Sequence, residues 1–151
     1  MTTPAADRAV LDTNVLLAAT DEGRDEHERA VASLNIWPGS GLVLYTSGQI
    51  MREYLAVATR PATQNGLGMA RSVAVANVRA LRKRLHLLVE DEKVSDRLLE
   101  LLDAVECTGK QVHDANVIAT MLVHGIDTVV TINVGDFARF GEQIHVVGLS
   151  P

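Results

Sequence analysis

The chain has a single cysteine, Cys107, so neither an internal disulfide framework nor a cysteine-based zinc site can be built from it. Aromatic residues are scarce: Trp37, Tyr45, Tyr54, Phe137 and Phe140 are the whole set. A platform on which single-stranded bases stack in succession therefore has little support. Long apolar runs are missing too. The best early stretch is broken by Asp12 and Asn14, and no basic segment leads into an apolar region near Met1. Neither a signal peptide nor a membrane span is expected, and the cytoplasm is the expected location. No Gly-x-Gly-x-x-Gly or Walker loop is present to cradle a nucleotide, and no Gly-x-Ser-x-Gly elbow to present a serine nucleophile. The histidines (His27, His86, His113, His124, His145) show neither His-x-His nor His-Glu-x-x-His spacing.

What remains is an ordinary globular composition. Of 151 residues, 47% are apolar and 22% charged, which suits one domain with a real core. The net charge of -5 argues at first against a nucleic-acid partner. The charges are unevenly spread, however. Between Arg52 and Arg84, seven basic residues (Arg52, Arg60, Arg71, Arg79, Arg82, Lys83, Arg84) stand against one acid, Glu53. Acids cluster instead at Asp21–Glu28 and Glu90–Glu106. Such blocks are either solvated helix faces or, for the basic one, a rim able to neutralise phosphates.

The hydrophobic pattern alternates between strands and helices. Ala9–Leu11, Leu42–Tyr45, His86–Val89, Thr128–Ile132 and Ile144–Val147 read as short buried strands. Between them the pattern predicts helices over Asp25–Leu34, Ile50 to about Arg60, Met69–Arg84, Ser95–Cys107 and Val112–His124, with a short one over Asp136–Phe140. Thr46 and Gln49 have the spacing of a capping box, and Gly109 and Gly125 read as C-terminal caps. Short strands joined by helices imply right-handed crossovers and a parallel sheet. The expectation is an α/β fold, a single domain over residues 1–151 whose packed core runs from about 8 to 148.

Ligands of such a sheet bind beyond the carboxyl ends of its strands. Asp12 ends the first strand, Glu53 follows the second, Asp114 opens a late helix, and Asn133 and Asp136 follow the Thr128–Ile132 strand. Each acid also has an ordinary structural role open to it. Asp12, Asp114 and Asp136 could cap helices, and Glu53 could pair with Arg52 or Arg60. Gathered together, they would require neutralisation. Two carboxylates about 4 Å apart repel by roughly 4 kcal/mol at an effective dielectric of about 20. A hard divalent cation such as Mg²⁺ or Mn²⁺ relieves that repulsion and can activate water beside a phosphate. The dipole of its helix would help to keep Asp114 ionised.

The run Val10-Leu11-Asp12-Thr13-Asn14-Val15-Leu16-Leu17 resembles the opening motif of PIN domains. Gln49 to Pro61, containing Glu53, is similar to their second acidic motif, and Val112 to Met121, containing Asp114, to the third. Thr131-Ile132-Asn133-Val134-Gly135-Asp136-Phe137 resembles the closing motif, although the family's fourth acid often falls where Asn133 stands. Chain length and motif order look most like the VapC-type ribonuclease toxins of toxin–antitoxin pairs. The resemblance implies a metal-dependent endoribonuclease with Asp12, Glu53 and Asp114 as metal ligands and Asp136 as a further catalytic acid. Asn14, Thr131 and Asn133 would support them. Mg²⁺ or Mn²⁺, a homodimer and a small cognate antitoxin are further implied. Arg52, Arg60, Arg79 and Arg82 are the expected contacts to RNA. A catalytically silent PIN-like module binding RNA or protein is the alternative. A receiver- or phosphatase-type domain ranks behind both, because no candidate strand ends in the lysine that receivers use.

Overall fold

Every strand is short, three to five residues, with an apolar stretch inside it. The computed structural model describes residues 2–149. Within it, β1 (Arg8–Leu11), β2 (Val43–Ser47), β3 (His86–Leu88), β4 (Thr128–Thr131) and β5 (His145–Gly148) form one sheet. Its order is β3-β2-β1-β4-β5 and every pairing is parallel, with Val10 in register with Tyr45 on one side and Val129 on the other. The burial of Ala9, Val10, Leu11, Val129 and Val130 fits central strands covered on both faces. The expected α/β architecture with a parallel sheet is therefore present.

Among the described residues, seven α-helices flank the sheet: α1 (Thr13–Ala19), α2 (His27–Asn35), α3 (Gly48–Thr59), α4 (Arg71–Arg82), α5 (Glu92–Ala104), α6 (Gln111–Val123) and α7 (Val134–Phe137). The order reverses at β1: the chain runs outward through β2 and β3, then returns to lay β4 and β5 on the other side. Adjacent connections thus leave β1 and β4 in opposite directions and open a crevice at their carboxyl ends.

Four of the five aromatic residues (Trp37, Tyr54, Phe137, Phe140) are buried in a single apolar core. The scarce aromatics are used for packing.

Several boundaries differ from the sequence expectation for local reasons. The N-cap of α3 is Ser47, whose hydroxyl accepts from the Ile50 N–H at 3.3 Å, so the expected Thr46–Gln49 capping box does not form. Helix α5 starts at Glu92 rather than Ser95 because the Asp91 carboxylate accepts from the Val94 N–H. It ends at Ala104 with Val105 extended, so Gly109 does not cap it. Gly109 instead turns the chain with φ +58° before α6 begins. Helix α6 buries Ala115, Val117, Ile118, Ala119, Thr120 and Met121, more than one apolar stripe, being enclosed on more than one side. Among the described residues, no helix is long and apolar enough to cross a membrane.

Candidate active site

The carboxyl end of β1 delivers Asp12 directly into the N-cap of α1. Asp12 Oδ1 accepts from the Thr13 N–H at 2.7 Å, so the capping role raised by the sequence is real. Its Oδ2 accepts from the Thr131 hydroxyl at 2.8 Å, across the crevice between β1 and β4. Capping and site-building are therefore done by the same carboxylate. Thr131 is fully buried, and its oxygen also accepts from Asn14 Nδ2 and from the Asn133 N–H, both at 3.1 Å. Asn14 Oδ1 in turn accepts from the Ile132 N–H at 3.1 Å. This ring of bonds ties the start of α1 to the end of β4.

Glu53 enters from α3. Its Oε2 accepts from the Thr13 hydroxyl at 2.9 Å and its Oε1 from Gln49 Nε2 at 2.9 Å. It forms no ion pair with Arg52 or Arg60; the ion pairs of the described residues are Arg24–Asp21, Arg97–Glu100 and the weak His145–Asp127 contact. Asp114 lies in the first turn of α6 but does not cap it, since the N-cap is Lys110 with no side-chain bond. Asp136, in α7, is exposed and likewise makes no cap.

Electrostatics link the four acids. Burial, the largest cause, pushes the Asp12 carboxyl up to about 6, against hydrogen bonds from Thr131 and Thr13 that favour its ionised form; the charges of Glu53 and Asp136 push it further up. The Asp114 carboxyl is also pushed up to about 6, first by burial and then by the charges of Asp12, Asp136 and Glu53. Arg139 opposes this shift. The helix dipole expected to keep Asp114 ionised is therefore outweighed. Among the described residues, no group of three or more His, Cys, Asp or Glu side chains is disposed to hold an ion by itself. The donor set nevertheless suits a hard cation: oxygen atoms only, with uncompensated negative charge. Mg²⁺ commonly keeps several waters and takes only one or two carboxylates. The residues present fit such a water-rich ion.

A family model for the PIN domain matches residues 9–142. The chain belongs to the PIN-domain family. Solved structures similar to it include VapBC2 from Rickettsia felis bound to a promoter DNA fragment, at 16% identity and a TM-score of 0.69, covering 93% of this chain and 98% of that one. VapBC-1 from nontypeable Haemophilus influenzae matches at 15% identity and 0.66, covering 95% and 99%. VapC20 of Mycobacterium tuberculosis, described as a sarcin-ricin loop cleaving toxin, matches at 18% and 0.60, covering 91% and 96%. At these identities the likeness is one of fold. No curated protein matches the chain by sequence.

On this PIN scaffold, the residues picked out by sequence divide into two sets. Asp12, Asn14, Glu53 and Thr131 are joined by hydrogen bonds, directly or through Thr13, while Asp114 and Asp136 share their electrostatic field. Asn133 joins through its backbone N–H. The basic residues form a second, separate set. Arg52 and Arg60 are exposed on or just after α3, and Arg71, Arg79 and Arg82 are exposed on α4. The arginine whose charge reaches Asp114 is Arg139, tied to the Glu106 carbonyl at 3.1 Å. Sequence reasoning also missed Thr13, Gln49, Glu90 and Asn116. Thr13 had a signal, lying beside Asp12. Gln49 had one too, lying one helical turn before Glu53. Glu90 and Asn116 had none as site residues, because their partners are distant in sequence.

Proposed function

We propose that this PIN domain is a divalent-metal-dependent endoribonuclease acting as the toxin of a toxin–antitoxin pair. The observation that carries the reading is the meeting of Asp12, Glu53, Asp114 and Asp136 at the topological switch point, with the Asp12 and Asp114 carboxyls raised to about 6. That concentration of charge is costly for a merely structural surface and useful for a cation site. The silent-module alternative is less favoured, because binding alone does not call for it.

Asp12, Glu53 and Asp114 would hold Mg²⁺ or Mn²⁺, with water completing the coordination. The ion, when bound, supplies charge neutralisation and a water of lowered pKa beside the scissile phosphate. The chain's own residues orient that site. Thr131 and the Thr13 N–H hold the Asp12 carboxylate, and the Thr13 hydroxyl and Gln49 hold Glu53. Asn14 braces Thr131, while Asn133 contributes its N–H. Asp136 adds negative charge at the rim. Arg52, Arg60, Arg79 and Arg82 hold the RNA backbone from the exposed sides of α3 and α4. The cleavage described for VapC20, together with the paired systems described as VapBC, supports the substrate class and a small antitoxin partner. A homodimer working in the cytoplasm completes the reading.

Purified protein incubated with RNA and Mn²⁺ or Mg²⁺ tests it. Cleavage should depend on the metal, and Asp12→Asn or Asp114→Asn should each lower it by at least about 10²-fold. Cleavage that survives both substitutions, or chelation, removes the assignment.

A further inference from the structure

A buried amide beside Glu53 has no place in the acidic set, yet the hydrogen bonds of its residue reach four others: Glu53, Glu90, His113 and Asn116. Gln49 is 6% exposed in the first turn of α3. Its Nε2 donates to Glu53 Oε1 at 2.9 Å and to the His113 carbonyl at 2.8 Å, one residue before Asp114. Its Oε1 accepts from Asn116 Nδ2 at 2.6 Å. Asn116 Nδ2 also donates to Glu90 Oε2 at 3.3 Å, and Glu90 Oε1 accepts from the Gln49 backbone N–H at 2.9 Å. Both Gln49 amide hydrogens are used.

The direction of this chain is not arbitrary. An ionised Glu90 can only accept, so Asn116 must turn its NH₂ toward it. The same NH₂ then faces Gln49, which must answer with its carbonyl oxygen. That leaves the Gln49 NH₂ toward Glu53 and the His113 carbonyl, both of which only accept. Reversing the amide would set oxygen against oxygen at each of these contacts. Glu90, just beyond the end of β3, thereby fixes the orientation of a donor that grips a carboxylate on α3 and the backbone of the turn carrying Asp114.

We propose that Gln49 is a positioning residue for the nuclease site, holding the Glu53 carboxylate relative to the Asp114 turn in an amide orientation dictated by Asn116 and Glu90. The inference rests on the nuclease reading and adds a residue class that the acidic motifs omit. Loss of a partner that orients a metal-ligating carboxylate typically lowers metal affinity or activity by about 10–100-fold.

The test separates positioning from plain structural support. Asn116→Asp sets a carboxylate against Glu90 and gives the Gln49 NH₂ a new acceptor, which turns its oxygen toward Glu53. Adding Glu90→Gln removes the repulsion, since the new amide can donate to the Asn116→Asp carboxylate and still accept from the Gln49 N–H. The double variant should recover the part of the melting temperature that Asn116→Asp loses to repulsion from Glu90, while kcat for RNA cleavage and Mn²⁺ affinity by titration stay about 10–100-fold down, with KM little changed. Gln49→Met should lower kcat and Mn²⁺ affinity by a similar factor, again with KM little changed. Return of kcat together with stability in the double variant, or wild-type kcat in Gln49→Met, overturns the proposal. A readout independent of cleavage is the Gln49 side-chain NH₂ in NMR hydrogen exchange of the wild-type chain. Protection of both protons is expected, and exchange as fast as that of an exposed glutamine overturns the proposal. If wild-type protein cuts no RNA with Mn²⁺ while the amide is protected and Mn²⁺ binding weakens in Gln49→Met, the nuclease reading fails and the positioning role stands.

Discussion

Both edges of the sheet carry carboxylates, and only one of them is organised. At the amino edge, Asp7, Arg8, Asp127, Thr128 and His145 line an open cleft with Gly125 and Ile126. Arg8 donates to the Gly125 carbonyl at 2.7 Å, while His145 and Asp127 approach only to 4.0 Å with side chains 78% and 65% exposed. At the carboxyl edge, both oxygens of Asp12 and both of Glu53 accept from named donors. The polarity of the scaffold explains part of the difference. In a parallel α/β layer, helix N-termini and their unpaired N–H groups collect at the carboxyl edge, so carboxylates there find donors. The rest comes from burial. Asp127 is surrounded by water, which screens it, whereas the carboxylates of the other edge are partly desolvated and feel one another. Acidic composition alone therefore does not mark a site; shared burial and directed donors do.

The largest test of this contrast is the response to metal and its pH dependence. Asp12 and Asp114 stand near 6 in the folded chain against 3.8 as ordinary carboxyls. Between those values the folded state holds more protons than the unfolded one. Their ionisation thus lowers the stability of the metal-free protein as pH rises through that window, and the penalty is complete above about pH 6. A cation replaces those protons. Saturating Mn²⁺, at about 100 times its Kd, should stabilise the protein by about 2.7 kcal/mol at pH 8, raising Tm by roughly 5–10 °C. At pH 5 the rise should largely vanish. A Tm increment of equal size at both pH values would mean that the ion binds elsewhere.

A smaller effect isolates the brace between β1 and β4. Thr131→Val keeps the shape but removes the donor to Asp12 Oδ2 and the acceptor used by Asn14 and the Asn133 N–H. Leaving these partly buried groups unpaired should cost about 1–3 kcal/mol of stability. If Asp12 is positioned as proposed, cleavage should fall by about 10–100-fold as well. Urea unfolding and single-turnover cleavage read the two effects. Unchanged values in both would make the hydroxyl incidental and weaken the contrast between the edges.

Much of this organisation is legible in the sequence, and the limits have a physical pattern. Asp12 and Thr131 can be found because short buried strands end where they stand, and a parallel sheet puts those ends along one edge. Helices α5 and α6 can be found from their periodicity, but the burial of α6 on a second side cannot, because it depends on α5 packing against it. Gln49 shows the limit most clearly. Its spacing from Thr46 suggests a cap, yet the cap falls to Ser47, one residue later, which frees Gln49 for Glu53. Its other partners, His113 and Asn116, lie 64 and 67 residues away. Local patterns carry no record of such distant bonds. The basic residues show a different limit. Their clustering in sequence does not tell which cation reaches the acids, and the charge that reaches Asp114 belongs to Arg139.

The smallest expected effect is the control at the amino edge. Asp127→Asn removes a charge that is mostly solvated, and the new side-chain oxygen can still accept from the Thr128 hydroxyl, as Asp127 Oδ1 does at 3.1 Å. Substitutions of this kind usually change stability by no more than about 0.5 kcal/mol, so Tm should move by no more than about 2 °C. The Mn²⁺-induced Tm rise and the rate of RNA cleavage should both match those of the wild type. Because Asp12→Asn also removes one carboxylate charge, the pair of variants holds net charge constant while changing its location. A drop in cleavage common to both would implicate overall charge. A drop confined to Asp12→Asn would mean that burial and directed hydrogen bonds, rather than the number of acids, give the carboxyl edge its chemistry.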